Sequence, residues 1–237
     1  WFASIWIFTL RLPWELGADF FLRHLIDGDP AANTLSWRWV GGLHTKGKTY
    51  LARASNIAQF TGGRFEPTGQ LAMTAEPLIE DIDHPMVPLP LPQPLPQSDY
   101  LLLITPQDCQ PEPVTSGAPV GVLGLLPVPH FKQSELVLAF ERGAVDDAIT
   151  RSVDKNAAIK CTQDWSAALI EAAQTAGTNQ IITPMAAVGP VATHLDTAKT
   201  DLAKAGIRLH QHHNAYDTLT WPHATQGFFK LKKKSTR

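Results

Sequence analysis

Residues 27–39 read Asp-Gly-Asp-Pro-Ala-Ala-Asn-Thr-Leu-Ser-Trp-Arg-Trp, and the reading of this stretch decides what the chain is built around. Two carboxylates flank a glycine, so a tight turn here can aim acidic groups and free backbone amides at one ligand. Asn33 follows with an amide that both donates and accepts hydrogen bonds without carrying charge. Upstream, Trp14, Ala18, Phe21, Leu22 and Leu25 recur at helical spacing, which predicts a helix over residues 14–26 that ends near Asp27-Gly28. On residue type alone Asp27 and Asp29 read equally as turn formers or caps, Asn33 as an N-cap of the following helix, and the tryptophans as core.

Order and spacing add to that reading. Trp14, then Gly17 with the aromatic pair Phe20 and Phe21, then Asp27-Gly28-Asp29, Asn33 and Trp37-x-Trp39 resemble the flavin-binding core of the photolyase and cryptochrome family over roughly residues 1 to 65. The resemblance implies that Asp27, Gly28, Asp29 and Asn33 contact FAD. It implies that Asn33 faces the reactive N5 edge of the isoalloxazine, where asparagine is usual in DNA-repairing members, while plant cryptochromes commonly carry aspartate and animal ones cysteine. A neutral amide does not readily deliver a proton to the flavin, so Asn33 suits a site that holds the reduced anion. By the same resemblance Trp37 and Trp14 form an electron-hopping chain, with Trp37 nearer the flavin, and Trp39 lines the pocket for an extruded lesion.

The remaining composition is permissive. The chain has 237 residues, 44% of them hydrophobic, and a formal net charge of -2, so no global pull draws it to nucleic acid and any such contact must be local. Cys109 and Cys161 are its only cysteines, far apart and without zinc spacing, which suggests two free thiols, a reducing compartment and a cytoplasmic location. Residues 1–10 are almost wholly apolar, yet too short to span a bilayer and without a basic leader, so they read as a buried helix rather than a membrane segment. A start on Trp1 suggests that an upstream part, including a third tryptophan and a basic partner for Asp27, is not in this chain. A buried, unpaired Asp27 would be costly, and weak FAD retention is the expectation.

Residues 41–65 read as a glycine-rich loop, a short helix around residues 55–60 and a Gly62-Gly63 turn. Lys46, Lys48, Arg53 and Arg64 give this part a basic character that suits either phosphate contact or plain solvation. Residues 44–50 lack the glycine spacing of a phosphate loop. Prolines 85, 88, 90, 92, 94 and 96 predict an extended, semi-rigid tether. Beyond it, strands are expected at residues 100–105, 120–126, 180–183 and 207–210, with helices at 135–150, 163–176 (Thr162 as cap, Gly177 as stop) and 191–205. Alternation of this kind implies a parallel sheet covered on both faces.

The expected organisation is therefore α plus α/β. Residues 1–66 form the C-terminal part of a helical FAD-binding domain, residues 67–98 a linker, and residues 99–237 a Rossmann-like domain resembling the family's antenna domain. In the usual family order the antenna domain comes first, so this chain is either rearranged or its second half is only analogous. A second chromophore, a folate or a deazaflavin, would sit at the carboxyl ends of its strands. His210, His212 and His213 read as surface histidines, since no acidic or Cys partner completes a metal set. Ser116 and Ser134 lie in no nucleophile elbow, residues 221–229 should dock on a domain, and residues 230–237 form a basic tail. The resemblance implies light-driven, FAD-dependent repair of pyrimidine dimers in DNA by the intact protein, a deoxyribodipyrimidine photo-lyase. The alternative is a cryptochrome-like photoreceptor in which flavin and tryptophans signal to a partner protein.

Overall fold

The computed structural model describes every residue except 86, 88, 91, 92, 111, 113, 114, 116, 155, 156, 226, 227, 236 and 237. Pro88 and Pro92 of the tether, Ser116, the Gln226-Gly227 step, Thr236 and Arg237 lie outside the described residues. The chain divides into two compact units, Trp1–His84 with Phe131–Leu138, and Pro85–His130 with Ala139–Arg237.

The first unit is helical. It opens with α1 (Phe2–Ser4), which runs into a π-helical turn at Ile5–Thr9, followed by α2 (Trp14–His24), α3 (Pro30–Gly41) and α4 (Ala54–Phe60). The opening residues are helical, but they are not a buried helix: Ser4 and Ile7 are buried, while Trp1, Phe2 and Leu10 are exposed. Only one stripe of so short a helix can face the small core built by α2 and α3. Between the π turn and α2, Arg11 takes φ 55, a left-handed conformation unusual for a residue with a Cβ.

Helix α2 stops at His24, short of the expected Asp27-Gly28, because Leu25 turns extended with ψ 125. The chain then closes a turn in which the Gly28 amide donates to the Leu25 carbonyl at 3.1 Å. A Cβ on Gly28 would lie 3.0 Å from the carbonyl oxygens of both Leu22 and Leu25, so glycine lets this turn close without pushing either carbonyl aside. Asp29 caps α3 by accepting from the Ala32 amide at 2.5 Å, and Pro30 fills the first helical position, where its missing N–H costs nothing. Asn33 is therefore inside α3 and not its cap. Gly42, at φ 85, ends the helix in the left-handed region.

The second unit carries a five-stranded parallel sheet in the order β3-β2-β1-β4-β5, formed by β1 (Tyr100–Ile104), β2 (Pro119–Pro127), β3 (Ile159–Thr162), β4 (Gln180–Pro184) and β5 (Arg208–His212). Its helices are α5 (Glu135–Arg151), α6 (Trp165–Thr175), α7 (Pro190–Lys204) and α8 (Ala215–Thr220), with a 3-10 turn at Trp221–His223 and a final α9 (Phe228–Ser235). Side-chain alternation along buried strands divides the core. Leu101, Leu103, Leu123, Leu125 and Ile181 pack with Leu169, Leu195 and Leu202 of α6 and α7. Tyr100, Leu102, Ile104, Val122 and Ile182 pack with Val145, Ala148 and Ile149 of α5 on the other face. A Cβ on Gly124 would fall 2.7 Å from Val145, so the glycine lets α5 lie directly on the sheet.

The anticipated strands and helices are present with ends shifted by a residue or two, and β3 is additional. It is a four-residue edge strand with little full burial, too weakly apolar to announce itself. Because Thr162 closes β3, it does not cap α6; Asp164 does, accepting from the Ala167 amide at 2.9 Å. His212 is buried rather than on the surface, because β5 turns it inward, and burial lowers its pKa. Among the described residues no helix is long and apolar enough to cross a membrane.

Candidate functional site

The helical unit closes around Trp37, which is 3% exposed and packs with Ile7, Ala18 and Val40. A methyl group at Gly17 would land inside the Trp37 ring, so α2 approaches α3 closely enough to lie flat on that indole only because residue 17 is glycine. The aromatic pair on α2 divides. Phe21 meets Trp37 edge-on with centroids 5.3 Å apart, and Phe20 turns outward to stack on His24 at 4.5 Å.

A pocket of about 390 Å³ opens beside this core, lined among others by Phe2, Phe21, Asp27, Asp29, Asn33 and Trp37. Asn33 is buried, and its Nδ2 donates to the Ala18 carbonyl at 2.8 Å. That bond fixes the amide orientation, since a carbonyl accepts only from the nitrogen side. The side-chain oxygen of Asn33 is thereby left as the acceptor for whatever enters. Asp27 is exposed and in no ion pair among the described residues, so the anticipated penalty for a buried, unpaired carboxylate does not arise. Asp29 lines the pocket while it caps α3. The volume is enough for one flat aromatic ring system, and Asp27, Asp29, Asn33 and Ser36 are the polar side chains in its lining.

Trp14 is half-buried at the margin of the same cluster and makes no ring contact with Trp37 among the described residues. The Arg38 guanidinium lies 5.9 Å over the Trp14 ring. Arg38 in turn makes a forked pair with Glu80, one arm at 2.6 Å, and a further contact to His84 at 3.1 Å. The guanidinium hydrogen bonds hold the Glu80 carboxyl down at about 2. This pair, with the Leu78 amide on the Gly41 carbonyl at 2.9 Å, fastens residues 78–80 to α3. Trp39 is not among the residues lining this pocket; it is 49% exposed and stacks on Tyr50 at 5.7 Å. Lys46, Lys48 and Arg53 nearby in sequence take part in no ion pair among the described residues.

The residue that sequence reasoning passed over is Trp6. Its ring meets Trp37 at 6.4 Å and 89°, and its Nε1 donates to the Pro13 carbonyl at 2.8 Å. The signal was the spacing of Phe2 and Trp6, one helical turn apart, which puts two aromatic rings on one stripe; they stack at 5.8 Å.

In the α/β unit the carboxyl ends of the strands hold polar groups. Thr183 at the end of β4 is fully buried and its hydroxyl has no hydrogen-bond partner. The strand order reverses between β4 and its neighbour β1, where open sheets accept ligands. His194 stacks on Trp165 at 5.0 Å and on His130 at 6.1 Å, with Nε2 buried and unpartnered; burial, then His130, lowers its pKa. Among the described residues no group of three metal-ligating side chains gathers.

Comparison with known proteins bears on the helical unit. Residues 1–105 match the family described as the FAD binding domain of DNA photolyase. The chain is 34% identical over 80 residues to the deoxyribodipyrimidine photo-lyase of Salmonella typhimurium, covering 34% of this chain and 16% of that one. It is 36% identical over 81 residues to that of Streptomyces griseus, covering 34% and 17%. Against that of Thermus thermophilus it is 36% identical over 61 residues, covering 26% and 14%. The chain thus spans less than a fifth of these relatives. No solved structure matches it.

Proposed function

We infer, from the match of residues 1–105 to the FAD binding domain of DNA photolyase, that the intact protein is a light-driven, FAD-dependent enzyme that repairs pyrimidine dimers in DNA, a deoxyribodipyrimidine photo-lyase. On this reading residues 1–66 are the C-terminal part of the helical FAD-binding domain and residues 99–237 an antenna-like domain, and of the intervening residues 67–98 those up to His84 pack with the helical unit while the rest serve as the tether.

The observation that carries the reading is the fixed amide of Asn33. Its nitrogen is engaged by the Ala18 carbonyl, so Asn33 itself offers the pocket an acceptor and no transferable proton. An acceptor without a transferable proton favours a ring edge that carries N–H, the arrangement of a reduced flavin, and does not protonate it further. When bound, FAD supplies a light-excited one-electron donor to the lesion. Asp27, Gly28 and Asp29 hold and orient it, the turn being kept tight by glycine. Trp37 and Trp14 return electrons to it. Trp39 offers an exposed indole for stacking on an extruded base, steadied by Tyr50, and Lys46, Lys48 and Arg53, in no ion pair among the described residues, are available for phosphates.

The orphan hydroxyl of Thr183 at the strand-order reversal supports a second chromophore, a folate or deazaflavin, in the α/β unit. Cys109 and Cys161 are both free thiols, which fits a reducing, cytoplasmic setting. The test is dimer repair by the FAD-loaded full-length protein, in light against darkness. Light-dependent loss of dimers is expected. Absence of repair together with light-dependent binding of a protein partner would establish the photoreceptor in its place.

A further inference from the structure

We propose that Trp6 is a second electron donor to Trp37, working beside Trp14, so that oxidation of the central indole branches. The proposal rests on the flavin reading of the pocket, because it takes an excited flavin as the oxidant of Trp37.

The geometry points to Trp6 in three ways. Trp37 is almost wholly enclosed, so an external reductant cannot reach it directly and the electron that refills it passes through a nearby side chain. Its ring neighbours among the described residues are Phe2 at 6.2 Å, Phe21 at 5.3 Å and Trp6 at 6.4 Å. Benzyl rings are much harder to oxidise than indole, and transfer between side chains falls steeply with separation, which leaves Trp6 as the oxidisable ring in contact. The electrostatic settings of the two candidate donors also differ. The Arg38 guanidinium over Trp14 repels the positive charge that oxidation would create there, a repulsion that Glu80 only partly offsets. No cation lies over the Trp6 ring among the described residues, and its N–H points at the Pro13 carbonyl, whose negative end stabilises a positive indole.

The step balances as a single electron transfer. Trp6 gives one electron to oxidised Trp37, which returns to its neutral form, and Trp6 becomes the radical cation. Its Nε1 proton stays in place, since an amide carbonyl is too weak a base to take it. Trp6 is partly exposed beside the exposed Phe2, so an external thiol reductant can restore it with one electron.

The test uses the FAD-loaded full-length protein with Trp6→Phe, Trp14→Phe and the double variant, read by transient absorption of the tryptophan radical and by the rate of flavin photoreduction. Each single variant should retain photoreduction, slowed a few-fold, and the double variant should lose at least ten-fold. A polyfluorinated tryptophan at position 6, which keeps the shape but resists oxidation, should behave as Trp6→Phe does, an outcome that a purely structural role would not give. Without flavin, Trp6→Phe should also remove the near-ultraviolet circular dichroism of two perpendicular indoles in contact. If Trp6→Phe changes nothing in the Trp14→Phe background while Trp37→Phe abolishes photoreduction, the branch is overturned and the flavin reading stands. If Trp37→Phe itself has no effect, both fall.

Discussion

The two units hold themselves together in different ways. The α/β unit packs aliphatic side chains on both faces of a sheet, with Thr183 at the carboxyl end of β4 and His194 near the start of α7, stacked on Trp165. The helical unit has a buried cluster of Ile7, Ala18, Trp37 and Val40, and its largest member is also the residue expected to carry electrons. On the proposed reading, the helical unit's electron carrier is itself its core residue, whereas the sheet's aliphatic core carries no proposed role of that kind. That difference predicts which substitutions will be silent for light-driven chemistry and which cannot be.

The strongest probe of the contrast is Leu169→Ala. Leu169 is fully buried under the sheet, and removing its side chain should cost about 2–5 kcal/mol. Peptide-resolved hydrogen exchange should show faster exchange in α6 and β1, with α2 and α3 unchanged; faster exchange in the helical unit would break the separation. Next comes Gly17→Ala. One methyl pushed into the Trp37 ring should destabilise the helical unit by about 1–3 kcal/mol. Here the near-ultraviolet signal of Trp37 and any flavin photochemistry should fall together. Loss of stability with intact photochemistry would refute the claim that core and site coincide.

Legibility from the amino-acid order divided along the same line. The sheet could be read because fully buried strands such as Tyr100–Ile104 are continuous apolar runs, and the helices between them keep one apolar stripe. The edge strand Ile159–Thr162 escaped, since an edge needs little apolar character and gives little signal. In the helical unit the family pattern named Asn33 and Trp37, both of which line the pocket, because those residue types are rare in that order. What it did not reveal was where each indole sits. Trp6 makes a ring contact with Trp37 and, among the described residues, Trp14 makes none, although both pack against the same cluster. Residue type did offer capping for Asp29, which caps α3, but it could not show that Asp27 is exposed.

A smaller effect sharpens the comparison through pH. The Glu80 carboxyl is depressed to about 2 from 4.5 by its pairing with Arg38. A depressed acid stabilises the folded form fully above its unfolded value, and that contribution is lost as pH falls from about 4.5 toward about 2. Over this window residues 75–84 should lose exchange protection, and Glu80→Gln should remove the pH dependence. Strands β1 and β4 serve as the control, since a similar acid transition there would mean that the loss is global.

The smallest expected change lies at Arg11, whose φ of 55 places a Cβ-bearing residue in the left-handed region. That conformation costs an L residue about 1–2 kcal/mol. Glycine adopts it without the clash but loses more backbone freedom on folding, roughly 0.5–1 kcal/mol. The Arg11 side chain is exposed and joins no ion pair among the described residues, so nothing else is given up. Arg11→Gly should therefore stabilise the helical unit by up to about 1 kcal/mol, seen as slower exchange across α2 and none across β1. An unchanged or destabilised helical unit would mean that the left-handed turn before Pro13 is held by something other than backbone preference, and that the hinge between the first helical turns and α2 is itself part of what keeps Trp6 against Trp37.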